Sequence, residues 1–217
     1  PYSVTRTWHV QIGLFWIATA WLGAGLFIGP VVSGKEPAGQ ALGVNVLFGA
    51  LLLVVVGSLK GEWLSVQNQM SDAVSFYLGH QGYEYVELGR VWQIALMVGL
   101  LLWLFLMLRA LWPALRGSDE TKPLVWLLAV ATGAIALFYG AGLTWGRHGH
   151  LSMVEYWRWW VVHLWVEGFF EVFATTVIEF VFMRLHLIRP RVAAAAALLS
   201  ATIFLSGGII GTCHHLY

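Results

Sequence analysis

The residues able to do chemistry in this chain are a few imidazoles and carboxylates set in apolar surroundings. The run Trp159-Trp160-Val161-Val162-His163-Leu164-Trp165-Val166-Glu167-Gly168-Phe169-Phe170-Glu171 carries one histidine and two glutamates. At 3.6 residues per turn, His163, Glu167 and Glu171 fall at about 0°, 40° and 80° around a helix axis, one polar stripe on an apolar rod. An ionisable group in hydrocarbon is costly and needs a metal, another charge or water as its partner. Cys213-His214-His215, near the far end of the sequence, offers two further imidazoles. Three imidazoles and a carboxylate suit a mid-row metal, and the carboxylate oxygen tilts the choice towards iron. His163 and Glu167 are four residues apart, so both can converge on one ion from one helix. Glu171 lies about 6 Å further along. It is too far to be a ligand and is placed for proton relay or for support of Glu167.

Each group has a plainer reading when taken singly. His163 reads as a hydrogen-bonded packing residue, the terminal pair as part of a solvated loop, and His9 as interfacial packing beside Trp8. Glu179 is off the stripe and reads as an interhelix polar contact. Arg6 reads as a surface arginine or as a partner for an anionic cofactor group near His9. The glycines around 23–29 and 207–211 mean close helix packing. What raises the metal reading above these is a common depth, which follows from the elements that carry the residues.

Those elements are membrane spans. The 217 residues are 59% hydrophobic and 11% charged, against roughly 45–50% and about 25% in soluble domains. Six apolar runs are long enough to cross the hydrocarbon layer. They lie near 8–32, 41–59, 90–112, 123–145, 158–183 and 192–215, which predicts an all-α, polytopic transmembrane helix bundle. The thirteen tryptophans fit anchoring at the membrane surface. Residues 60–89 form the one substantial extramembrane segment, with an amphipathic helix lying on the membrane expected over 64–78. Lys35, Arg109, Arg116, Lys122, Arg184, Arg189 and Arg191 belong to one side; Arg6, Lys60, Arg90, Arg147 and Arg158 belong to the other. The positive-inside rule makes the first side cytoplasmic. His9, His163, His214 and His215 then all reach a similar level, nearer the outer face.

Formal net charge is +1, which gives no reason to expect a nucleic-acid partner. The single Cys213 excludes an internal disulfide and a multi-cysteine metal site. Pro1 at the start, and Tyr217 following the histidine pair with no helix stop, are expected of a piece of a longer chain.

The run YWRWWVVHLWVEGFFE (156–171), with SGGIIGTCHH (206–215), resembles the catalytic subunit of bacterial nitric oxide reductases, members of the haem–copper oxidase superfamily. VTRTWHVQIGLFW (4–16) resembles the second transmembrane helix of the same family, and Tyr156-Trp157-Arg158-Trp159-Trp160 is closer to its quinol-dependent branch. The resemblance covers essentially the whole chain. It implies that His163, His214, His215 and Glu167 hold the non-haem iron FeB. It implies that His9 is one axial ligand of a low-spin haem b, and that Glu171 stands beside the binuclear centre. More loosely, it aligns Glu87 with a glutamate near the haem propionates that holds calcium in the cytochrome c-dependent branch. The high-spin haem b3 takes its proximal ligand from outside this chain. The oxygen-reducing relatives place Pro after the histidine and Tyr four residues beyond it; here those positions are Leu164 and Glu167.

The implied activity is reduction of two NO to N2O and water with electrons from quinol. The implied partners are quinol, NO, the lipid bilayer, the rest of the same polypeptide with its further haem ligands, and a second copy in a homodimer. The implied location is the bacterial inner membrane. The alternatives are a terminal O2-reducing oxidase of the same superfamily and a non-redox proton or metal transporter.

Overall fold

The computed structural model describes residues 2–81 and 88–211, and every regular element among them is a helix. In chain order these are α1 (Tyr2–Ser33), α2 (Gln40–Val66), α3 (Asp72–Leu78), α4 (Arg90–Arg116), α5 (Lys122–Phe138), α6 (Leu151–Trp159), α7 (Glu171–Arg184) and α8 (Pro190–Gly211). α5 tightens into a 3-10 turn over Tyr139–Leu143, and a π-helical segment, Trp160–Phe170, joins α6 to α7. The chain is a polytopic helical membrane bundle. Among the described residues five helices are long and apolar enough to cross a membrane: Tyr2–Ser33, Gln40–Val66, Arg90–Arg116, Lys122–Leu143 and Pro190–Gly211. The sixth predicted crossing is the rod Leu151–Arg184, divided by its π segment.

Several boundaries differ from the expected ones. α2 runs on to Val66 rather than stopping at 59, because nothing in Lys60–Val66 breaks a helix; the turn comes at Asn68, whose φ is 55°. The surface helix expected over 64–78 therefore shrinks to Asp72–Leu78, capped by the Ser71 side chain, which accepts from the Val74 N–H. The rod holding His163 begins at Leu151, where His150 caps it, and not at 158. His163 thus lies more than three turns along its rod.

Between apolar helices in lipid, packing replaces the hydrophobic drive. Here α1, α4 and α7 meet at Gly25: a Cβ there would stand 2.9 Å from the Phe173 ring and 3.1 Å from that of Trp103. Trp103 is fully buried, meets Phe173 edge-on at 5.7 Å and donates its indole N–H to Leu22 O at 3.1 Å. α8 packs on α7 through buried Ala193, Ala197 and Ala201, one small residue per turn. At the other end of the bundle, Arg90 closes the fold. Its guanidinium donates to Gly142 O at 3.0 Å, to Trp145 O and to Gln81 Oε1, and lies over the rings of Phe76 and Trp145. Gln81 in turn donates to Leu88 O (2.8 Å) and Gln93 Oε1 (2.7 Å). A charge buried this deeply is kept by such hydrogen bonds.

Candidate metal centre

The rod changes its winding where the chemistry sits. Residues 160–170 form i→i+5 hydrogen bonds, a wider turn than the α-helix. Aromatic contacts hold that turn from both sides. Phe138 stacks on Trp160 (5.4 Å) and on Phe169 (5.0 Å), and Trp165 tilts over Tyr139 (5.0 Å) and meets Phe170 edge-on (5.2 Å). Trp165 also donates its indole N–H to Ile135 O on α5 at 2.6 Å. Gly168 removes a crowding side chain, since a Cβ there would meet His163 O at 3.2 Å. The angles of 0°, 40° and 80° expected for a straight α-helix therefore do not hold through the stripe. His163 and Glu167 share the π segment, while Glu171 is the first residue of α7.

Inside that segment the imidazole and the carboxylate meet. His163 Nδ1 and Glu167 Oε2 are 2.5 Å apart. The His163 side chain is 20% exposed and that of Glu167 is 56% exposed, so the pair opens towards one flank of the described bundle. Glu171 is half-buried. α8 passes close by: a Cβ on Gly208 would stand 3.3 Å from the Leu164 side chain and 3.6 Å from His163 O. His214 and His215 follow six and seven residues later in the sequence and lie, with Cys213 and Glu87, outside the described residues. His9 is placed on an exposed face of α1.

The pair fits a borderline cation. The ring nitrogen Nδ1 and the carboxylate Oε2 bring a nitrogen and an oxygen donor to one place, and that mixed donor set suits iron. Among the described residues no group of three or more His, Cys, Asp or Glu side chains converges on one point. The described part of the centre is thus the His163–Glu167 pair alone. The π winding is what a reading by α-helical spacing misses; its one sequence signal is Gly168 set among large aromatics directly after Glu167.

The fold and the pair together define a class, a polytopic helical membrane protein with a candidate metal centre in one rod. Residues 1–217 match the family described as Cytochrome C and Quinol oxidase polypeptide I, and the chain belongs to that family, of the haem–copper oxidase kind. The chain is also similar to a nitric oxide reductase subunit of Stutzerimonas stutzeri, with 24% identity over 220 residues. That alignment takes in 100% of this chain and 44% of the relative, so the chain spans less than half the length of the protein it resembles.

Proposed function

We propose that the whole protein is a quinol-dependent nitric oxide reductase of the bacterial cytoplasmic membrane. It turns two NO, two electrons and two protons into N2O and water. The observation that carries this reading is the 2.5 Å contact of His163 with Glu167, a carboxylate where the oxygen-reducing relatives have a tyrosine. A relative named as part of a nitric oxide reductase supports it.

His163 and Glu167, with His214 and His215, would hold the non-haem iron. His9 would ligate the low-spin haem b, and the rest of the polypeptide would complete both haems. When bound, these groups supply electron transfer and Lewis acidity towards NO. Glu167 orients the His163 ring and adds one negative charge to the site. The π segment fixes that geometry through its aromatic contacts and the Trp165 hydrogen bond. Glu171, at the start of α7, holds and passes a proton at its carboxyl group. Leu164 and Trp165, packed beside the pair, keep the approach apolar, which suits an uncharged diatomic gas. The outer-facing orientation of this centre rests on the distribution of basic residues.

Replacing Glu167 or His214 with Ala in the full-length protein, followed by assay of non-haem iron and NO consumption, tests the assignment. Normal iron with full activity would sink it. A visible spectrum without a Soret band would leave only a transporter. Faster turnover of O2 than of NO would move the protein to the oxidases of its family.

A further inference from the structure

The rod that bears the His163–Glu167 pair also bears an unbroken line of oxidisable rings. The ring centre of Trp159 lies 6.4 Å from that of His163 and 5.4 Å from that of Trp160. Trp160 lies 6.2 Å from Trp157 and 6.5 Å from Tyr156, and those two rings are 5.1 Å apart. Each step is an edge-on or tilted contact between neighbouring rings. The line starts at the candidate metal ligand and ends on α6, where Tyr156 and Trp157 are half-buried. Among the described residues the Trp159 ring meets only those of His163 and Trp160, so the way outwards runs through Trp160.

An aromatic belt at the membrane surface accounts for the outer rings. It does not account for Trp159, which is 3% exposed. The indole Nε1 atoms of Trp159 and Trp160 are buried with no hydrogen-bond partner, unlike that of Trp165. An indole nitrogen only donates, and here no base stands ready to take its proton. An indole that loses an electron and keeps its proton is a strong oxidant, and it draws an electron from the next ring. The phenol of Tyr156 differs, because it can give its proton to water and hold the oxidised state at the surface. The order Tyr, Trp, Trp, Trp therefore runs electrons inwards, towards the pair.

We propose that Tyr156, Trp157, Trp160 and Trp159 relay electrons to the metal centre at His163 when it meets a peroxide in place of its substrate, discharging an oxidant that would otherwise destroy the ligands. The relay rests on the reading of the pair as a redox metal site, and not on NO as the substrate. A redox-active iron reacts with peroxide whatever its main reaction. Cleavage of hydrogen peroxide takes two electrons and two protons and gives two waters. One electron comes from the reduced metal and the other from the relay. Tyr156 loses that electron, and its phenol proton passes to water. A soluble enediol such as ascorbate then returns one electron and one proton to the phenoxyl group.

The test treats the full-length, iron-loaded protein with hydrogen peroxide. It reads the radical by freeze-quench electron paramagnetic resonance and maps oxidised side chains by peptide mass spectrometry. Non-haem iron and NO consumption are measured on the same sample. The native protein is expected to form a tyrosyl radical and to oxidise Tyr156 ahead of the exposed Trp63 and Trp112. Ascorbate removes both signals. Trp160→Phe keeps a ring against Phe138 but cannot pass the electron, so the tyrosyl signal is lost and damage moves to Trp159 and His163. Tyr156→Phe replaces the tyrosyl signal with a tryptophanyl one on Trp157. Should Trp160→Phe fail to hold iron, Tyr156→Phe alone decides, and a tyrosyl signal that persists in it overturns the relay. Tyr156 oxidised equally in Trp160→Phe, or in native protein stripped of iron, also overturns it, with peroxide acting from solution. Normal iron and NO consumption, with oxidation spread evenly over the exposed tryptophans, overturns the relay alone. A native protein that holds no iron overturns the relay and the proposed function together.

Discussion

The indole N–H of Trp165 reaches across to the carbonyl oxygen of Ile135 at 2.6 Å, tying the π segment to α5 two residues from His163 and two from Glu167. Trp165 also packs on Tyr139 and Phe170, so one side chain fixes both the height and the winding of the rod that bears the pair. Trp165→Phe keeps most of the ring packing and removes the hydrogen bond. It is expected to cost about 1 kcal/mol, read as a lower midpoint in thermal unfolding. It is also expected to lower retained non-haem iron while the haem spectrum stays unchanged.

Glu167 and Glu171 are expected to separate in their effects. Glu167→Gln keeps the shape and removes the charge, so non-haem iron falls at least about tenfold and NO consumption falls with it. Glu171→Gln leaves iron in place and slows turnover by about 100-fold, the scale of a lost proton-transfer group. Metal analysis beside steady-state NO consumption distinguishes the two. Equal iron loss in both variants would place Glu171 among the ligands.

Gly208 sets how near α8 comes to the pair. Gly208→Ala adds a Cβ at 3.3 Å from the Leu164 side chain, a contact relieved by a shift of a few tenths of an ångström. Gly208→Leu overfills the seam and is expected to cost about 1–3 kcal/mol. The expected order of iron content and thermal midpoint is native, then Ala, then Leu. No change in the leucine variant would mean that α8 does not bear on the site.

Arg90 ties α4 to the 3-10 turn after α5 and to Trp145 beyond it. Arg90→Gln strands the carbonyls of Gly142 and Trp145 and the amide oxygen of Gln81. The expected loss is about 3 kcal/mol, measured as a drop in denaturation midpoint and as faster proteolysis within 68–89.

Much of this was legible in the sequence. Length and hydropathy located the spans, because a chain that crosses lipid must satisfy its backbone within each helix. Four-residue spacing located His163 beside Glu167. The π winding was not legible. Periodicity is read from alternation of polar and apolar residues, and a rod that is apolar nearly all round offers little to alternate. The last two turns of α2, Lys60–Val66, are hidden for a related reason: Lys60 and Glu62 look like loop residues, yet Glu62 is 2% exposed inside the fold. The hydrogen bond between Arg109 and Gln40 was out of reach, since those residues are 69 positions apart and meet only through the close approach at Gly43. The histidine pair 214–215 and Glu87 lie outside the described residues, and the role of the pair belongs to the proposed function.

The π segment also has a phase. A π turn is an α-helix accommodating surplus chain, so deleting one residue within Trp160–Phe170 would let the rod relax to ordinary winding. Each residue of an α-helix turns the next by about 100°. The segments on either side would keep their seats, since the wide turn had absorbed the surplus residue, and only the residues inside it would change their angles to one another. His163 and Glu167, both inside the segment, would then meet at a different angle around the rod, with no change in the identity of either. Function in this rod therefore depends on counting as much as on composition, and a single-codon deletion is expected to do more damage here than most substitutions.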